Sequence, residues 1–186
     1  MNYYVVQVRT GKELSFVNED EQNNKQLQKK YSIIFPQRVL NIRKGGVFTK
    51  KQSPVFPGYV FIATEEFSND LYTSMKKLHN FYRFLPSNEE PRSLQGRDLD
   101  ILKHFISFGN VADFSVATFD ENDRIVIVEG PLKGLEGYIT KVNKRKGRAT
   151  VCLDMYQDSF RIDLGFTMLD PTGKKGERIK HEKYSD

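Results

Sequence analysis

The chain reads as an α+β protein: a mixed domain with an antiparallel sheet and flanking helices, followed by a small all-β barrel. Three observations predict this. The first hundred residues alternate strand and helix signals in the order strand, helix, strands, helix, strand, helix. From Asp123 onward only short strands appear, each bounded by turn residues. Between them, residues 108–122 lose any clear period. These breaks place a first domain at 1–108, a linker at 109–122, a barrel at 123–170 and a charged tail, expected to be disordered, at 171–186.

Tyr3 to Arg9 alternates as a strand, with Tyr4, Val6 and Val8 on one face and Tyr3, Val5, Gln7 and Arg9 on the other. Thr10-Gly11 breaks it, and a largely polar helix follows from Lys12. Tyr31 to Arg43 is strand material interrupted by Pro36. Gly45-Gly46 then signals a hairpin, with Val47 to Lys51 pairing back. Ser53 to Ile62 is the most apolar and aromatic stretch of the first half and predicts a central strand. Pro57-Gly58 should bend its entry, which sets Phe56 and Tyr59 on either side of the bend. Val60, Phe61 and Ile62 are core candidates. Phe67, Leu71, Met75 and Leu78 predict a short amphipathic helix, Tyr82 to Leu85 the last strand, and Leu99, Leu102, Phe105 and Ile106 another helix. In the second half, 124–128, 137–142, 148–155 and 159–164 read as four strands. A set so closely spaced favours a closed barrel, which hides its edges.

Composition narrows the function. No window approaches the roughly 18 apolar residues a membrane span requires. The N-terminus lacks the basic and apolar regions of a signal peptide, and a lone cysteine, Cys152, suits a reducing compartment. A cytoplasmic monomer is the expectation. His79, His104 and His181 have no ligand-like spacing with Cys152 or with an acid cluster, so no metal is expected. No phosphate-binding loop and no nucleophile–base pair can be proposed, and Asp98 and Asp100 read as capping residues at a helix start. The expectation is therefore no catalytic residue, no cofactor and no enzymatic activity. Net charge is +5, and its distribution matters more than its size. Arg38, Arg43, Lys44, Lys50 and Lys51 lie in an acid-free segment, as do Lys141, Lys144, Arg145, Lys146 and Arg148. Such clusters are the footprint of a polyanionic partner. Carried on a protruding hairpin, the first cluster predicts a nucleic-acid-binding face.

Glu129-Gly130-Pro131-Leu132-Lys133-Gly134-Leu135-Glu136-Gly137 resembles the KOW motif of ribosomal proteins and NusG-type transcription factors. Together with Tyr4-Val5-Val6-Gln7 and Phe56-Pro57-Gly58-Tyr59-Val60 ahead of it, in this order and spacing, the chain looks like the NusG family over residues 3–170. The linker and the KOW segment look most like LoaP-type specialised antiterminator paralogues. The resemblance implies an N-terminal NGN domain that docks on the clamp helices of RNA polymerase beside the upstream DNA, suppressing pausing and termination; upstream DNA or a nascent RNA hairpin is then expected against the basic face. It puts Tyr3, Phe56, Pro57 and Tyr59 on the polymerase-binding surface. It also implies a partner-binding loop in the KOW barrel, at Met155, Tyr156 and Gln157. Housekeeping relatives use that loop to bind ribosomal protein S10 or termination factor Rho. Here it lacks the usual glycine, so weak binding to either is expected. Two alternatives are a housekeeping NusG that couples polymerase to Rho or S10, and a ribosome-associated KOW protein that binds RNA.

Overall fold

The computed structural model describes residues 1–23, 30–44, 47–156 and 158–169, with the side chains of Lys44 and Phe48 left aside. The proposed glycine turn at 45–46, Gln157 and the tail from 170 lie outside the described residues.

The first domain is built on a four-stranded sheet of β1 (Asn2–Val8), β2 (Tyr31–Ile34), β5 (Tyr59–Thr64) and β6 (Phe81–Phe84), in the order β2-β5-β1-β6. All its pairings are antiparallel. β5 is central, as the apolar run 59–64 predicts, and Val60, Phe61 and Ile62 are all fully buried. β1 and β5 bury side chains on both faces because both faces are covered. Val5 and Phe61 point to one side; Val6, Val8, Val60 and Ile62 point to the other.

The back of the sheet is closed by α1 (Glu13–Asn23), through Phe16, and by α2 (Asn69–Lys76), through Leu71 and Met75, with Leu78 just beyond it. α2 starts at Ser68, whose hydroxyl accepts a hydrogen bond from the Leu71 amide (3.1 Å), a standard N-cap. Part of the front is covered by α3 (Gly96–Ile106), through Ile101, Leu102 and Phe105.

A long ribbon projects from this sheet. β3 (Gln37–Lys44) pairs antiparallel with β4 (Val47–Pro54) in continuous register from Gln37↔Pro54 to Lys44↔Val47. The bend expected inside one strand is a turn between two: Val55–Gly58 separates β4 from β5.

The segment read as a linker carries structure. β7 (Val111–Ala112) adds to β3 in parallel, and two residues later β8 (Ser115–Phe119) enters the second domain. There it lies between β12 (Asp158–Met168), to which it is parallel, and β9 (Ile125–Glu129), to which it is antiparallel. With β10 (Ile139–Asn143) and β11 (Arg148–Met155) the order is β10-β11-β12-β8-β9. The second domain thus has five strands where periodicity predicts four, the extra one coming from 115–119. Gly130 explains the close seating of β8. Its φ is +96°, and a Cβ there would stand 2.7 Å from the Ser115 Cα. The buried Ser115 hydroxyl accepts from the Leu132 amide (2.9 Å).

Candidate functional site

The residues expected to form two separate surfaces meet in one interface. Phe56 sits on the turn after β4 and is 1% exposed. Its ring makes edge-to-face contacts with Phe61 of β5 (5.5 Å between centroids), Phe105 of α3 (5.7 Å) and Phe160 of β12 (5.5 Å). Tyr59 also packs on Phe160 (5.4 Å), and its hydroxyl donates to Asp158 (2.7 Å). Burial, and then the bond to Asp158, push the Tyr59 phenol up to about 12. Phe56 is therefore not an exposed docking aromatic in this arrangement; the second domain covers it. Tyr3 lies partly buried at the rim of the same cluster, and its carbonyl accepts from the Leu94 amide (2.7 Å). Pro57 is exposed on the turn.

Local chemistry fixes the turn. Gly58 has φ +87°, which favours glycine, and its amide donates to the carboxylate of Glu13 (2.6 Å). Glu13 is itself 2% exposed, an acidic side chain buried to hold a backbone donor. The Gly58 carbonyl in turn accepts from Val8 of β1 (2.8 Å).

The predicted partner loop faces the first domain as well. Tyr156, in a left-handed conformation (φ +50°), donates its amide to Asp98 of α3 (3.1 Å) and its hydroxyl to the Arg92 carbonyl (2.6 Å). Asp98 is thus an interdomain acceptor. The residue at the N-cap position of α3 is Gln95, which makes no side-chain cap. Met155 is buried in the shared core. His104 of α3 donates from Nε2 to the Pro131 carbonyl (2.7 Å), tying the helix to the KOW-like turn.

The basic ribbon is divided by its register. Arg38 and Lys51 share one face, because Arg38 pairs with Ser53 and Leu40 with Lys51. Arg43 and Lys50 share the other, so the five cations do not form a single face. Arg38 folds back, donating to the carbonyls of Pro54 and, at 3.3 Å, Val55. Burial lowers its pKa, partly countered by nearby Asp163 and reinforced by Arg148. Lys50 lies over the ring of interdomain Phe114 (5.4 Å). Arg43, Lys50 and Lys51 remain exposed. Arg148 of β11 donates to the Asn41 carbonyl of β3 (2.6 Å) and stands 3.7 Å from Asp163. Gly165 packs where a Cβ would be 2.4 Å from the Phe114 ring.

Sequence reasoning missed Glu13, Phe160, Asp158 and Asp163. Among the described residues no group of three or more His, Cys, Asp or Glu is placed to hold a metal, and no helix is long and apolar enough to cross a membrane.

The described residues thus form a mixed sheet domain followed by a strand-only one, joined through a short paired segment. The family model described as transcription termination factor nusG matches residues 1–103, more than half of the chain, and the chain belongs to the NusG family. Among curated relatives it is 23% identical over 149 residues to the transcription termination/antitermination protein NusG of Thermus thermophilus, covering 75% of this chain and 79% of that one. It is 20% identical over 176 residues to the protein of the same name from Xylella fastidiosa, covering 88% and 95%. Among solved structures, "Domain interaction in Thermotoga maritima NusG" shares the fold with a TM-score of 0.55 at 16% identity, over 88% of this chain and 93% of that one.

Proposed function

We propose that this chain is a non-enzymatic elongation and antitermination factor of the specialised kind, working in the cytoplasm as a monomer without cofactor. Its first domain is an NGN domain that docks on the clamp helices of RNA polymerase through Tyr3, Pro57, Tyr59 and, once uncovered, Phe56. Its second domain is a KOW barrel. In the closed arrangement that barrel occupies the docking face, so polymerase binding requires it to leave. The ribbon β3–β4 contacts upstream DNA or nascent RNA.

The observation that carries this reading is the aromatic cluster at the Val55–Gly58 turn. It is backed by Glu13 and Phe61 and covered in front by Phe160 of the other domain. Aromatic anchors of this kind dominate protein interfaces. Tyr156 is engaged with Arg92 and Asp98 in the same closed state, so binding of S10 or Rho through that loop also competes with closure.

The test is binding of the full chain to purified RNA polymerase. Phe160→Ala should bind more tightly than the natural chain, and adding Tyr59→Ala and Pro57→Ala should remove that gain. Equal binding by all three proteins would contradict the assignment of the face.

A further inference from the structure

The second acid-free segment has no part in the function proposed above. From Gly137 to Leu153 the chain has no Asp or Glu and carries Lys141, Lys144, Arg145, Lys146 and Arg148. These residues sit on the β10–β11 hairpin, in which Asn143 pairs with Arg148. The Lys146 amide donates to the Asn143 side chain (2.9 Å) and the Gly147 amide to the Lys144 carbonyl (3.0 Å), which closes the turn. Lys141, Lys144, Arg145 and Lys146 are all exposed. Two acids stand near. Asp123 pairs with Lys144, which also lies over the Phe119 ring (3.8 Å), and Asp163 is 3.7 Å from Arg148.

The fold seats this hairpin against the ribbon. β7 covers the outer edge of β3 only at Gln37 and Arg38. Just beyond, β11 and β12 meet that edge. A Cβ at Gly165 would stand 3.2 Å from the Val39 carbonyl, and Arg148, the cross-strand partner of Gly165, donates to the Asn41 carbonyl (2.6 Å). Asn41 and Arg148 are 107 positions apart in sequence. Arg145 lies three positions before Arg148, and Arg43 two positions after Asn41, at most about 11 and 7 Å of chain. The two acid-free segments therefore meet across one side chain, within the roughly 34 Å of a single duplex turn. No large apolar side chain of β10 or β11 is exposed, whereas a protein partner would need an apolar centre to pack on. A sugar–phosphate backbone needs only the cations.

We propose that Lys141, Arg145 and Lys146 of the second domain continue the exposed cations of the ribbon, so that one nucleic-acid backbone is held across both domains. This rests on the reading of the ribbon as a nucleic-acid face and adds a second-domain contact to it. The β10–β11 turn supplies phosphate contacts, and Arg148 joins the two clusters by holding β3.

The experiment measures affinity of the full chain for a ten-base-pair DNA duplex of mixed sequence and for an RNA hairpin of similar length, across a salt series. Small-angle X-ray scattering checks that each variant keeps the arrangement of the natural chain. Each phosphate contact contributes about 0.9 to the slope of log affinity against log salt. Lys141→Gln with Arg145→Gln should therefore weaken binding at low salt and make the slope shallower by about one to two. The ligand showing that change identifies the backbone as DNA or RNA. One duplex or hairpin should bind per chain.

An unchanged slope with both ligands would overturn the inference. So would two ligands bound per chain, each lost with a different cluster. Arg43→Glu with Lys51→Glu separates the two levels. If it weakens binding while the hairpin variant binds like the natural chain, the second-domain contact alone falls. If it leaves binding of both ligands unchanged, the nucleic-acid reading of the ribbon falls, and the spanning face with it.

Discussion

The two faces of the four-stranded sheet are covered in different ways. The back is sealed by α1 and α2, whose Phe16, Leu71 and Met75 interlock with Val6, Val8, Val60 and Ile62. All of these residues belong to one domain, and the seal needs no polar pin from elsewhere. The front is half sealed by α3 and finished by the second domain. Its apolar contact is centred on Phe160 and ringed by side-chain hydrogen bonds from Tyr59, Tyr156, His104 and Arg148. A face closed by its own helices is core. A face closed by one aromatic and a polar ring from a tethered neighbour has the anatomy of an interface, with an apolar centre and a polar rim.

The largest expected effect blurs that distinction. Phe56 is buried by Phe61 and Phe105 of its own domain as well as by Phe160, so Phe56→Ala should destabilise the first domain by about 3–5 kcal/mol, measurable by chemical denaturation. Phe84→Ala on the back should destabilise by a similar amount. A Phe56 variant is consequently a poor probe of docking, because lost binding and lost folding coincide.

Next comes Glu13→Ala, which leaves the buried Gly58 amide without its acceptor and should destabilise by about 1–3 kcal/mol. The damage falls on the turn that carries Tyr59, so hydrogen exchange should rise at 55–59 before it rises in β5.

Phe160→Ala should separate the two faces most cleanly. It removes two aromatic contacts, each worth about 0.5–1.5 kcal/mol beyond area, and should shift the equilibrium toward the open form while thermal unfolding of the first domain stays nearly unchanged. No single substitution on the back should separate opening from unfolding in this way.

The smallest effect is Tyr59→Phe, about 0.5–1.5 kcal/mol on closure, for the loss of the bond to Asp158. A pH titration gives an independent check. The phenol is raised from 10 to about 12 in the closed form, chiefly by burial. A raised pKa means that its contribution is fully present below pH 10 and is lost as pH rises from 10 through 12. Scattering should show opening across that window in the natural chain and a weaker response in Tyr59→Phe.

Much of this was legible in the chain. The alternation of β1, the apolar run of β5, the spacing of Leu71, Met75 and Leu78, and the turn-bounded strands β9 to β12 all carry local signals, and the structure has these elements there. β8 carries no such signal. Ser115 to Phe119 follows an irregular stretch, and only its seating against Gly130 and β12 makes it a strand. The basic segment was visible as composition. Its division between two faces follows from pairing register, and Arg38 folds back onto the Pro54 and Val55 carbonyls. Phe56 and Tyr156 were each singled out as surface aromatics. That they lie in one interface is a tertiary fact with no periodicity to announce it.

The second domain covers the front face through Phe160. Nuclear Overhauser contacts in the full chain test it directly. Cross-peaks are expected from the Phe160 ring to both the Phe56 and Tyr59 rings, lost in Phe160→Ala without loss of dispersion in either domain. Absence of those cross-peaks in the natural chain, with the two domains tumbling independently, would contradict it.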